Sequence, residues 1–267
     1  SNVTNTDPAY FRFKSLGVAK AKTEMVLQRC EPLDRSEKAK ISSVLVNEFV
    51  EKSRAVLDRH KVNERRVTEG KLKANVIITR DAGHLLPRFF NINQKYGVRF
   101  ASLADMPVER GISHLAGMNV TAVPPPSQDL VKDCSLRVKK LLGLLPSFDC
   151  FYIHIKGPDE PGHDGHVQQK REIIEKIDAI FFKSLLETID ISNSVICVTA
   201  DHSTPCALKG HSDDPVPLLV AGDKIEGDET KKFGESQCAR GSLKTLPKGT
   251  LLMPMLMKLI GAKGKAN

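Results

Sequence analysis

Apolar positions along the chain fall into two spacings. Around Ile41, Leu45, Phe49 and Val56 they recur at helical intervals, and Asp34 followed by Glu37 sets a capping-box pattern ahead of them. A helix is therefore expected to run to about His60. Leu130 to Leu145, Gln168 to Ile189 and Met253 to Ile260 show the same periodicity, with Ile173, Ile177, Ile180 and Leu185 as the stripe of the second. Strand-length runs rich in apolar residues alternate with these, at Asn75–Thr79, Val98–Leu103, Phe148–Ile155, Ser194–Ala200 and Val216–Val220. A short helix is expected around Arg110–Gly117, with Gly117 as its C-terminal cap. Strands alternating with helices predict an α/β fold on a mainly parallel sheet. Such sheets bind ligands beyond the carboxyl ends of their strands. No internal repeat or low-complexity linker interrupts the pattern, and a basic tail, Gly261–Asn267, closes it.

Composition narrows the classes. No apolar stretch approaches the roughly 20 residues of a membrane helix. The net charge of +8 comes from 40 basic and 32 acidic residues spread along the chain, with only 14 Phe and Tyr and no Trp. That is a poor match to a clustered nucleic-acid surface, so neither nucleic acid nor membrane is expected as a partner. A small anionic substrate accounts for the excess equally well. The six cysteines stand far apart, and Cys150 and Cys197 lie in apolar runs, where free thiols in a reducing cytoplasm are the ordinary expectation. The opening Ser1-Asn2-Val3-Thr4-Asn5 has neither an initiator Met nor the features of a signal peptide, and is read as a cut into something longer.

Candidate chemistry sits after two of the expected strands. Lys156-Gly157-Pro158-Asp159-Glu160-Pro161-Gly162-His163 places an Asp and a His four apart in a Pro/Gly-rich loop. Asp201 and His202 follow the Ser194–Ala200 run directly, and His211 comes nine residues later. Carboxylate and imidazole together suit Zn²⁺ or Mn²⁺ rather than the oxygen-only shells of Mg²⁺ and Ca²⁺. One Asp–His pair in a loop is ordinarily a turn or a cap. Three such elements at strand ends favour a metal centre. His154, inside a strand, is read as a satisfied histidine, and Asp164, His166, His84 and His114 are left outside the ligand set.

These segments resemble the metal-binding signature of the alkaline phosphatase superfamily. Within it, Asp159-Glu160-x-Gly162-His163-Asp164-Gly165 and Ala200-Asp201-His202-Ser203-Thr204-Pro205-Cys206 are similar to the archaeal-type cofactor-independent phosphoglycerate mutases. So are Asn5-Thr6-Asp7-Pro8-Ala9, Val62-Asn63-Glu64-x-Arg66 and Leu115-Ala116-Gly117-Met118. The sequence departs from that family at Asp81, where a Gly is expected, and at Lys156-Gly157-Pro158, where Lys-Ala-Thr is usual.

The resemblance implies an alkaline-phosphatase-like sheet flanked by helices, formed by residues 91–267, and part of an inserted α/β substrate-binding domain in residues 1–90. It implies two divalent ions, manganese or zinc, with cobalt or magnesium as further candidates. Asp159, His163 and His211 would hold one, and Asp201 and His202 would contribute to the other. The implied reaction interconverts 3-phosphoglycerate and 2-phosphoglycerate in glycolysis and gluconeogenesis through a phosphorylated Ser. Arg80 resembles the arginine that these mutases project from their second domain, and Arg66, Asn63, Arg110 and Lys156 are further substrate-binding candidates. No Ser here matches the nucleophile, which the resemblance places in an N-terminal part of the same protein outside this chain; the chain alone is expected to be inactive. The metal ligands by themselves also fit a phosphatase, phosphodiesterase or sulfatase, or a catalytically incomplete fragment with an interaction role.

Overall fold

A computed structural model describes residues 2–13, 16–20, 26–81, 88–127, 129–223 and 225–262. The chain divides into two compact units, Ser1–Pro87 and Arg88–Asn267. Among the described residues no helix is long and apolar enough to cross a membrane. His84 and the end of the basic tail, 263–267, lie outside the described residues.

In the first unit, β1 (Tyr10–Phe13) and β2 (Leu16–Ala19) form an antiparallel pair that sequence periodicity did not indicate. Helices α1 (Glu37–Asp58) and α2 (Lys61–Thr68) follow. The cap of α1 is Ser36 rather than Asp34: the Ser36 hydroxyl accepts from the Ala39 N–H, and Asp34 instead accepts from the Ser36 N–H. The expected apolar stripe of α1 faces outward. Ile41, Leu45, Phe49 and Val56 are 51, 59, 51 and 67% exposed, whereas Ala39, Ser43 and Val50 are buried.

Asn75–Thr79 forms no strand. The segment is tied down one strand-end at a time: the Thr6 and Asp7 N–H groups both donate to the Thr79 carbonyl, and the Thr79 N–H donates to the Thr6 hydroxyl. With no ladder partner among the described residues, Val76, Ile77 and Ile78 stay exposed. Asp81, where the resemblance expects Gly, has φ +53°, the left-handed region that glycine occupies without strain. The backbone thus keeps the conformation that a Gly would supply.

The second unit begins with α3 (Ile92–Tyr96), β3 (Phe100–Leu103), α4 (Pro107–Leu115) and β4 (Asn119–Val120). Then come α5 (Leu130–Leu144), β5 (Cys150–Ile153), α6 (Asp159–Asp164) and α7 (Val167–Ile177). The expected long helix over 168–189 is interrupted. A π-helical turn, Asp178–Phe182, separates α7 from α8 (Lys183–Leu186), and it buries Phe181 against α5. Strands β6 (Ile196–Thr199) and β7 (Leu218–Ala221) and helices α9 (Glu235–Cys238) and α10 (Leu252–Leu259) complete the unit.

A parallel sheet of order β4-β3-β5 is flanked by helices, and its central strand β3 is buried throughout. Leu103 meets Val123, Cys134, Val138, Leu141, Phe181 and Leu185 in the main core. Beyond α4, Gly117 has φ +80°, and a Cβ there would clash with the Asn91 amide. That explains the Gly of Leu115-Ala116-Gly117-Met118; the cap itself is Ala116. At the end of the chain β6 and β7 pair antiparallel, in a two-stranded ladder that is separate from β5 among the described residues.

Candidate metal centre

Two strand ends and one turn build the centre. β5 leads through Lys156 and Gly157 into α6, whose first residue is Asp159 and whose last turn carries His163. β6 leads into Asp201 and His202. An antiparallel bridge between Ser203 and Ser212, with the Ser212 N–H donating to the Ser203 carbonyl at 3.1 Å, folds the chain back and sets His211 beside His202. The imidazole centroids of His202 and His211 are 3.8 Å apart.

Asp159, His163 and His211 converge. Their ligand atoms all lie within 4.8 Å of one another. His163 Nε2 is 3.2 Å from His211 Nε2, and Asp159 Oδ1 is 3.4 Å and 3.6 Å from the two imidazole nitrogens. Asp159 is a fixed anion. Lys156 Nζ donates to its Oδ2 and the Thr204 hydroxyl to its Oδ1, both at 2.7 Å. Partial burial alone would raise its pKa, but these bonds and the Lys156 charge outweigh it and bring the carboxyl down to about 2. Burial, then the neighbouring His202, pushes the His211 pKa down and favours the neutral imidazole a metal requires.

The α6 backbone must approach this cluster closely. A Cβ at Gly162 would sit 2.6 Å from the Thr204 carbonyl oxygen, so only glycine fits. That carbonyl also accepts from Lys170 Nζ at 2.7 Å. Thr204 is itself 4% exposed, and its hydroxyl lies 3.1 Å from His202 Nδ1 as well as bonding Asp159. It ties the two halves of the centre together. Periodicity did not single out Thr204 or Lys170; for Thr204, the only signal was its place two residues after Asp201-His202.

Other expected site residues are placed differently. Asp201 and His202 are neighbours, with Asp201 Oδ2 3.5 Å from His202 Nε2, but the Asp201 side chain is 63% exposed. Among the described residues they form no group of three ligands. Arg110 stands within α4 and is exposed, and its side chain makes no hydrogen bond or ion pair among the described residues. In the first unit, Arg80 lies 4.1 Å over the Tyr10 ring, with Nη1 3.9 Å from Asp7 Oδ2. Arg66 Nε donates to the Leu72 carbonyl. Asn63 is 2% exposed, and its amide bonds Leu57 O, Ala74 O and the Ala74 N–H, holding the backbone of the first unit.

The donor set suits a divalent ion. Three protein ligands of carboxylate and imidazole type are the number that catalytic zinc centres use, leaving a position for a substrate oxygen. Cys206, nearby in sequence, offers its thiol to the Pro161 carbonyl. Cys150 and Cys197 are free thiols that burial pushes up to about 11, and neither belongs to the convergent ligand group.

A family model described as the Metalloenzyme superfamily matches residues 14–259. The 2,3-bisphosphoglycerate-independent phosphoglycerate mutase of Aeropyrum pernix is 38% identical over 97% of this chain and 61% of its own length. That of Thermococcus kodakarensis is 35% identical over 86% of this chain and 55% of its own. A solved protein from Pyrococcus horikoshii superposes with a TM-score of 0.70 at 33% identity, over 86% of this chain and 60% of that one. The cofactor-independent phosphoglycerate mutase of Thermoplasma acidophilum gives 0.53 at 26% identity, over 97% and 59%. The chain thus spans a little over half the length of the curated relatives it matches.

Proposed function

Because the chain belongs to the Metalloenzyme superfamily, we propose that it is the metal-binding part of a 2,3-bisphosphoglycerate-independent phosphoglycerate mutase. The reaction interconverts 3-phosphoglycerate and 2-phosphoglycerate. The observation that carries this reading is the convergence of Asp159, His163 and His211 on one point, in a chain whose relatives bear that name. Bound divalent ions, manganese or zinc, would lower the pKa of an attacking hydroxyl and neutralise phosphoryl charge. Asp159, His163 and His211 hold the first ion in this reading, and Asp201 with His202 contributes to the second. The hydroxyl that takes the phosphoryl group belongs to a Ser outside this chain.

This chain's residues prepare the centre. Lys156 and Thr204 hold the Asp159 carboxylate in one orientation, and Lys170 pins the Thr204 backbone. Lys156 also brings a cation to the cluster, a point charge suited to a phosphate. Arg80 is the proposed ligand for the substrate's anionic groups: a planar guanidinium binds carboxylate or phosphate with two parallel bonds. Tyr10 and Asp7 hold it partly in place already.

The test is ³¹P NMR of 3-phosphoglycerate with diamagnetic Zn²⁺ and this chain, alone and together with the part of the Aeropyrum pernix mutase that it does not span. The expected product of the combination is 2-phosphoglycerate, with none from the chain alone. Inorganic phosphate as sole product would replace the mutase reading by a phosphatase. In the active combination Arg80→Ala should raise KM roughly 10- to 100-fold, the size of a lost charged hydrogen bond, with metal content unchanged. An unaltered KM would remove Arg80 from the substrate site.

A further inference from the structure

We propose that Thr204 is a positioning residue: it links Asp159 to His202 by hydrogen bonds and fixes the neutral His202 ring as its Nδ1–H tautomer, leaving Nε2 free for an ion. The inference rests on the reading that His202 serves a metal centre, and concerns how that ligand is prepared. Two contacts of one hydroxyl carry it. Thr204 Oγ1 lies 2.7 Å from Asp159 Oδ1 and 3.1 Å from His202 Nδ1. Lys156 Nζ donates to the other carboxylate oxygen, so Asp159 is an anion with no proton to give. A hydroxyl owns a single proton. Were that proton turned to His202, lone pairs of two oxygens would face each other at 2.7 Å, beside a buried side chain. The proton therefore goes to Asp159. The contact with His202 is then a hydrogen bond only if Nδ1 carries the ring's proton and donates it to Oγ1.

The surroundings hold both partners in this arrangement. The Thr204 carbonyl accepts from Lys170 Nζ, and its methyl packs so close to α6 that a Cβ at Gly162 would fall 3.0 Å from Cγ2. The His202 ring lies against the His211 ring, tilted by 34°. Its Nδ1 edge meets Thr204, and its Nε2 edge meets Asp201 Oδ2 at 3.5 Å. The other Asp201 oxygen, Oδ1, accepts from the His202 backbone N–H at 3.1 Å. With the proton on Nδ1, a neutral ring presents a lone pair at Nε2 beside the free carboxylate oxygen. Two acceptors side by side are the arrangement that a cation satisfies.

An imidazole that binds a metal ordinarily donates from its other nitrogen to a carboxylate or carbonyl, which sets the tautomer and raises the ring's basicity. Here a hydroxyl stands between the two groups. The His202 Nδ1–H donates to Oγ1, and the Oγ1 proton goes on to Asp159. Asp159 then acts twice: directly, in the group with His163 and His211, and through Thr204, on the ring of His202. A side chain of the same shape without the hydroxyl would keep the packing against Gly162 and lose both bonds.

Imidazole ¹⁵N–¹H spectra of the metal-free full chain read the tautomer, at about pH 8 where ordinary histidines are neutral, with His202→Gln to assign the signal. The wild type and Thr204→Ser should show His202 protonated at Nδ1 and bare at Nε2. Thr204→Val, which keeps the shape and loses the hydroxyl, should give a mixture of both tautomers. A purely packing role predicts the reverse order, with Val unchanged and Ser disturbed. That order, or an Nε2–H ring in the wild type, would overturn the proposal; the wild-type spectrum decides it even where the Val variant does not fold. Calorimetric titration with Zn²⁺ separates this inference from the metal reading. Thr204→Val should bind Zn²⁺ about 10- to 100-fold more weakly than the wild type, and Thr204→Ser should recover most of the loss; equal affinities for wild type and Thr204→Val would count against the proposal. The expected tautomer in a chain that binds no Zn²⁺ sinks the metal assignment and leaves the hydrogen-bond assignment standing. Zn²⁺ binding with His202 in the other tautomer does the reverse.

Discussion

Asp159→Asn is expected to lower the affinity of this chain for Mn²⁺ or Zn²⁺ by at least about 100-fold, since even residues that only orient a ligand are worth 10- to 100-fold. The substitution keeps the side chain's size and one carbonyl oxygen but removes the only carboxylate among the three convergent ligands. It also removes the anion that Lys156 and Thr204 hold. Nothing else in the cluster can replace that charge, because His163 and His211 bring neutral donors when they bind a metal. Calorimetric titration of the wild-type and Asp159→Asn chains, with circular dichroism confirming that both are folded, reads the effect. A matching change at Asp201 should cost less, because that side chain is largely exposed and stands outside the triad. Equal affinities for wild type and Asp159→Asn would contradict the assignment.

The largest expected loss of stability lies at the buried pair of Arg137 on α5 and Asp105 just after β3. Their side chains are 5% and 0% exposed, and one Arg137 Nη donates to Asp105 Oδ2. Arg137 also donates to the Asp133 carbonyl, but its Nε and Asp105 Oδ1 have no partner among the described residues. Arg137→Met would leave a carboxylate buried with no cation beside it. Removing one partner of such a pair typically costs about 3–5 kcal/mol. Removing both, as Asp105→Leu with Arg137→Met, should restore most of that, because the desolvated charges leave together. Urea unfolding of the three proteins measures it. A loss below about 1 kcal/mol for the single change would mean the pair is better hydrated than its burial implies.

The metal centre was more legible in the sequence than the packing around it. Asp and His straight after apolar strands are chemically conspicuous, because strand ends are where an α/β sheet presents ligands. That Asp159, His163 and His211 share one ion was, by contrast, what the resemblance to the alkaline phosphatase superfamily implied. The helix pattern of α1 was equally clear, but periodicity says which residues share a face and not what covers it. Ile41, Leu45 and Phe49 share a face that the described residues leave open. Asp34 and Ser36 both make bonds of the kind that open helices, and only the geometry shows that the Ser36 hydroxyl reaches the third residue on. Asn63 lay in a motif shared with the mutases, yet its buried amide serves the backbone. The Val216–Val220 run could be read as a strand, but its antiparallel pairing with β6 depends on the turn through Ser203 and Ser212, which periodicity does not encode.

Whether Asp159, His163 and His211 hold a divalent ion, as proposed, is decided by anomalous diffraction from crystals grown with Mn²⁺ or Zn²⁺. The expected result is a peak about 2.0–2.2 Å from a carboxylate oxygen of Asp159 and from a ring nitrogen of each histidine. Lys156 should then release its bond to Asp159 Oδ2 or share that oxygen with the ion. An anomalous map with no peak among these three residues at saturating metal, or with its peak on other ligands, would contradict the claim.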